Sequence, residues 1–207
     1  EQSLNQIRFR IGNSIINDED LRIMHTVEPL VNGPALINNG LGFSVDLRPT
    51  ESSLVGYMAK PHTDVINLAK LGYYNPFDFW QPIESKSGQI ILDPGAFYIL
   101  VSQEAVNIPF NCAAEMAPYL SMVGEFRVHY AGFFDPGFGN TKAGGSGSRG
   151  VLEVRCHEAP FVMDHGQNVG RLVYEKMIEE PEITYGQDLK SNYQGQGLKL
   201  SKHFKDQ

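Results

Sequence analysis

Apolar and polar positions alternate along short runs in this chain, and those runs are bounded by Gly, Pro, Asn and Asp. Leu41–Pro49, Gly88–Ser102, Gly124–Phe133, Gly150–Phe161 and Asn168–Met177 each read as strands, filled with the Val, Ile, Phe and Tyr that half-buried sheets prefer. Helical periodicity is scarce. "DEDLRIMHTVEPL" (Asp18–Leu30) opens a short helix with an acid-rich first turn, and "NCAAEMAPYLSMVG" (Asn111–Gly124) holds a helical turn that Pro118 limits. Many short strands separated by turns predict a mostly β domain: a sandwich, a jelly roll or a barrel.

The length of 207 residues suits one large domain. A formal net charge of −7 argues against a general binder of nucleic acid or of membrane surfaces, which would need a basic face. A small anionic substrate remains open, because a few local cations suffice to hold it. Two cysteines, Cys112 and Cys156, are too few for a disulfide framework and point to the reducing cytoplasm. No apolar run is long enough to span a membrane as a helix. The N-terminus "EQSLNQIRFR" carries neither an apolar signal core nor an initiating Met, so the chain reads as beginning inside a longer protein. Gln2–Phe9 also echoes Gln167–Tyr174 in its order of residue classes. The echo is either chance or the last strand of an upstream copy of the same domain.

The familiar chemical signatures are absent. Cys156, His157 and Glu158 are consecutive, and neighbours on a strand point to opposite faces, so they do not converge on one ion. The six histidines show no ligand spacing, and the H-x-E…P-C-x-x-C pattern of zinc deaminases is missing. "GNTKAGGSGSRG" (Gly139–Gly150) is not a phosphate-binding loop of the G-x-x-x-x-G-K-[ST] type and reads as a mobile hairpin tip. No nucleophile is paired with a base. The C-terminal stretch Tyr185–Gln207 differs from the rest in carrying lysines among Tyr and Gln. It is either a solvated tail or a source of donors and aromatic faces for a nucleotide.

Three motifs carry a resemblance. "ILDPGAFYILVSQEAVNIP" (Ile91–Pro109), "HYAGFFDPGFG…GVLEV" and "YGQDLKSNYQGQ" are similar, in order and spacing, to motifs of the dCTP deaminases, which share a fold with the trimeric dUTPases. With "LGFSVDL" they span most of the chain beyond residue 40, and the wording "RVHYAGFFDPGFG" is closest to the long, tandem-domain form of the family. The resemblance implies a distorted jelly roll, or dUTPase-like β-barrel, over residues 13–184. Residues 1–12 would then be the last strand of an upstream copy or a linker, and residues 185–207 a segment closing over the nucleotide.

The resemblance also implies roles. Glu153 matches the family's catalytic carboxylate, which handles protons as water attacks C4 of cytosine. Ala131 falls where backbone lines the base pocket, and Asp135 in the turn that supports the deoxyribose. Tyr185 and Gln196 match positions that grip the triphosphate, and Asn192 stands where the family has a lysine. Mg²⁺ would be held through the triphosphate rather than by protein ligands. The assembly would be a homotrimer, or a pseudo-trimer of tandem copies, with sites between subunits. One departure matters: the family's Ser-Ser-x-Ala-Arg run falls on "AAEMAP" (Ala113–Pro118), which has neither Ser nor Arg. Arg149, Lys199 and Lys202 are the cations that could compensate.

The leading expectation is therefore hydrolytic deamination of dCTP to dUTP and ammonia. Two others stand beside it. One is a dUTPase-like pyrophosphatase in which Asp135 activates the water. The other is a non-catalytic, nucleotide-binding or assembly copy of the domain.

Overall fold

The computed structural model describes residues 14–50, 52–118, 126–129, 133–140, 146–182 and 197–206. Eleven strands and two helices are present among them. Residues 14–16 run beside the strand that holds Glu175: Ile15 bridges Glu175, and the Ile16 amide donates to the Tyr174 carbonyl. The chain then enters α1 (Asp18–Val27), where the Asn17 side chain accepts from the Asp20 amide and three acids occupy the first turn. That cap and those charges suit the helix N-terminus. Leu21 alone is buried, which makes α1 a cover rather than a core element.

Strands β1 (Leu41–Ser44), β2 (Leu54–Ala59), β3 (Trp80–Glu84), β4 (Gln89–Leu92), β5 (Phe97–Val106) and β6 (Cys112–Pro118) come first, with the short helix α2 (Pro76–Phe79) leading into β3. Then follow β7 (Phe126–His129), β8 (Phe133–Phe134), β9 (Ser148–Cys156), β10 (Phe161–Asp164) and β11 (Asn168–Lys176). They form a four-stranded sheet in the order β1-β11-β6-β8, a five-stranded sheet in the order β3-β2-β5-β9-β7, and the two-stranded ladder β10-β4. The pairings quoted below are antiparallel. Phe43, Leu172, Tyr174, Ala114 and Phe134 from the first sheet share one core with Tyr98, Leu100, Leu152 and Val154 from the second. Phe43 and Phe134 meet edge to face at 6.0 Å. A side chain at Gly150 would stand 2.5 Å from the Phe43 ring, so that close approach requires glycine. Two sheets over one core make the expected β architecture.

Two expectations are corrected here. The helical turn expected in Asn111–Gly124 is, over Cys112–Pro118, strand β6, paired with Gly170–Lys176 of β11. Alanine favours helices, but its intrinsic preference is a fraction of a kcal/mol, and ladder bonds plus burial override it. Within Tyr185–Gln207, residues 202–205 are packed rather than a solvated tail, while residues 185–196 lie outside the described residues. Gly72 and Tyr73 amides donate to the Lys202 and His203 carbonyls at 3.0 Å, and the Lys205 amide donates to the Tyr74 carbonyl at 2.9 Å. Phe204 is 7% exposed, against Phe79 and Trp80. The echo in Gln2–Phe9 lies outside the described residues.

Candidate functional site

Strand β9 alternates strictly: Leu152 and Val154 are buried in the core, while Arg149, Val151, Glu153 and Arg155 take the other face. Residues directly opposite in an antiparallel pair share a face. Glu153 lies opposite Ile99 of β5, and Ile99 lies opposite Tyr57 of β2. An outer face open to water would be polar. Instead Tyr57, Ile99 and Val101 are 3%, 8% and 4% exposed, and none belongs to the main core. Glu153, half-buried, is set in an apolar row, where a carboxylate is costly unless a partner or a function retains it.

One step along the strands runs a second row. Arg155 lies opposite Phe97, with its guanidinium carbon 4.9 Å from the ring centroid. Phe97 touches Trp80 at 6.0 Å, and Trp80 touches Phe204 at 6.2 Å between centroids. The Trp80 Nε1 is buried without a hydrogen-bond partner.

The remaining site expectations separate. Asp135 opens a turn pinned to the far end of β5: its carbonyl accepts from Phe138, the Gly137 amide donates to the Ile108 carbonyl, and Ile108 donates back to Phe138. Lys199 is exposed, five residues before Phe204. Ala131, Tyr185, Asn192 and Gln196 lie outside the described residues. Of the compensating cations, Arg149 is committed elsewhere. Its Nη1 donates to Asp46 Oδ2 at 2.6 Å, and the Asp46 side chain is 4% exposed. Ala113 and Ala114, in the stretch matched to the family's Ser/Arg run, are both buried, so neither is placed to meet a nucleotide.

The Gly/Ser loop is closed at its base, where the Gly147 amide donates to the Gly139 carbonyl at 2.8 Å. Gly139 has a positive φ of 69°, and a side chain there would strike the Val106 carbonyl.

Titration is perturbed at three core groups. Burial raises Tyr98, whose hydroxyl accepts from the Asp93 amide. Burial pushes the Cys112 thiol up to about 11, and it raises Tyr174, which is fully enclosed. Both cysteines are free and buried. Among the described residues no group of three or more His, Cys, Asp or Glu is arranged to hold a metal ion, and no helix is long and apolar enough to cross a membrane.

The missed partners of Glu153 were Ile99 and Tyr57, and those of Arg155 were Phe97, Trp80 and Phe204. The odd-numbered face of β9 is legible in "RGVLEVR"; its cross-strand partners need the register.

With that geometry in place, the comparisons with known proteins fit it. The family model for the 2'-deoxycytidine 5'-triphosphate deaminase (DCD) C-terminal domain matches residues 17–204, and the chain belongs to that family. A crystal structure of 2'-deoxycytidine 5'-triphosphate deaminase from Agrobacterium tumefaciens superposes with a TM-score of 0.76 at 50% sequence identity. The match covers 82% of this chain and 52% of that one. A curated relative from Coprothermobacter proteolyticus, named "dCTP deaminase, dUMP-forming", is 31% identical over 114 residues, 54% of this chain and 56% of its own. The chain thus spans about half the length of the relatives it matches. The likeness to the solved deaminase bears out the mostly β, dUTPase-like fold.

Proposed function

We propose that this domain deaminates dCTP by hydrolysis, with Glu153 as the general base and acid. The family match supports the substrate class. The observation that carries the mechanism is the single half-buried carboxylate in the row Tyr57–Ile99–Glu153. In that setting Glu153 takes a proton from water as the oxygen attacks C4. It then returns a proton to the exocyclic nitrogen, and the C–N bond breaks to release ammonia. Ile99 and Val151 wall the carboxylate with apolar surface, which limits competition from bulk water.

Mg²⁺ enters this scheme on the substrate's triphosphate and neutralises its charge; no protein cluster is assigned to it. Asp135, Ala131, Tyr185, Asn192, Gln196 and Lys199 keep the substrate-binding roles implied by resemblance, as part of the proposal. A trimer or pseudo-trimer of such domains, in a reducing cytoplasm, completes it; the free, buried thiols suit that compartment.

The test is incubation with dCTP and Mg²⁺ followed by chromatographic separation. Ammonia with dUTP is the expected outcome. Ammonia with dUMP would place the domain with the Coprothermobacter proteolyticus relative, whose printed name supports that second reading. Release of pyrophosphate without ammonia would favour the pyrophosphatase, and no turnover the non-catalytic copy.

A further inference from the structure

We propose that Arg155 is the cation that holds the anionic end of the substrate, and that Phe204 sets its position through Trp80 and Phe97. The inference deepens the proposed function and rests on it. An anionic nucleotide beside Glu153 needs positive charge, and two of the expected sources near it fall away. Arg149 is tied to Asp46, and Ala113 and Ala114 are enclosed in the core.

Arg155 meets the need. It shares the outer face with Glu153 two residues along the strand, about 7 Å away. It is exposed, and among the described residues no carboxylate pairs with it, in a chain whose formal charge is −7. The contact with the Phe97 ring involves no hydrogen bond, so the guanidinium N–H groups remain for a phosphate.

Phe97 is in turn braced by Trp80, and Trp80 by Phe204, which the backbone bonds of residues 202–205 fasten to the Gly72–Tyr74 stretch. The C-terminal end therefore fixes where Arg155 stands. Phe204 is a positioning residue.

Calorimetric titration of the full chain with inorganic tripolyphosphate and with dCTP tests both parts. Arg155→Ala is expected to weaken both ligands at least tenfold, and Arg155→Lys to recover part of the loss. Uncharged deoxycytidine should bind parent and Arg155→Ala alike. Phe204→Ala is expected to shift the emission of Trp80, the chain's single tryptophan, to the red and to weaken tripolyphosphate. It should cost nothing further in the Arg155→Ala background, and Phe204→Leu should restore most of the binding. Parent-like affinity in Arg155→Ala overturns the proposal, as does a parent that fails to bind tripolyphosphate. Additive losses overturn the part played by Phe204. Binding that behaves as expected in a chain with no dCTP turnover removes the deaminase reading and leaves this one standing.

Discussion

Arg149 of β9 and Asp46, two residues past the end of β1, are 103 residues apart in sequence and meet in one charge-assisted hydrogen bond of 2.6 Å. The two partners are unequal: the Asp46 side chain is 4% exposed and that of Arg149 is 34% exposed. Asp46 also accepts from the Arg48 amide, and His165 Nδ1 lies 3.5 Å from its other oxygen.

That inequality sets the first expectation. Arg149→Met strands a buried carboxylate, for which losses of about 3–5 kcal/mol are typical before discounting for the exposed partner. A loss of about 2–3 kcal/mol is expected here, read as a lower urea midpoint with unchanged slope. Asp46→Asn should cost less, since the released guanidinium reaches water. The reverse order would show that burial of Asp46 does not govern the pair.

The second concerns the loop base. Gly139→Ala forces a side chain into the Val106 carbonyl at a left-handed φ. A loss of at least 2 kcal/mol is expected, at the upper end of ordinary point substitutions. Shortening the chain between Asn140 and Ser146 to a tight turn should leave the fold intact, because the Gly147–Gly139 bond closes the hairpin below it. Unfolding of that deletion would make the loop structural.

The third is the response to alkali. Cys112 has a folded pKa of about 11 against an ordinary 9.0, and Tyr98 and Tyr174 are raised above 10.0, all chiefly by burial. Above pH 9 the unfolded chain gives up the Cys112 proton while the folded chain keeps it, so the folded state binds more protons and loses stability as pH rises. The contribution of Cys112 is full below pH 9 and lost between 9 and about 11; the tyrosines add the same sign from pH 10. Thermal midpoints should be insensitive to these groups through pH 8 and fall beyond 9. In Cys112→Ala, the part of the fall that begins near pH 9 should shrink. Because both cysteines are buried, neither thiol should react with a thiol reagent in the folded protein at pH 8, and both should react in urea.

What the sequence revealed follows from how local each signal is. Turn residues and two-residue alternation mark β5, β9 and β11 because those signals lie within each strand. The alanines of β6 carry no such mark, and only the ladder to β11 makes them a strand. Glu153 was visible as a lone acid in "VLEV", and its family resemblance gave it a role. The apolar wall of Tyr57 and Ile99 was not visible, because it comes from strands 54 and 96 residues away. Phe204 sits in "SKHFKD", whose polarity suggests a tail; its aromatic partners lie more than 120 residues upstream.

The most direct measurement of the central claim is single-turnover kinetics of Glu153→Gln with dCTP and Mg²⁺. Glutamine keeps the shape and reach of the side chain but cannot take the proton from water. The account expects the chemical step to slow by about 10²–10⁴-fold, the usual worth of a positioned base, while dCTP affinity stays within a few-fold. An active parent whose Gln variant deaminates dCTP at nearly the parental rate would contradict it.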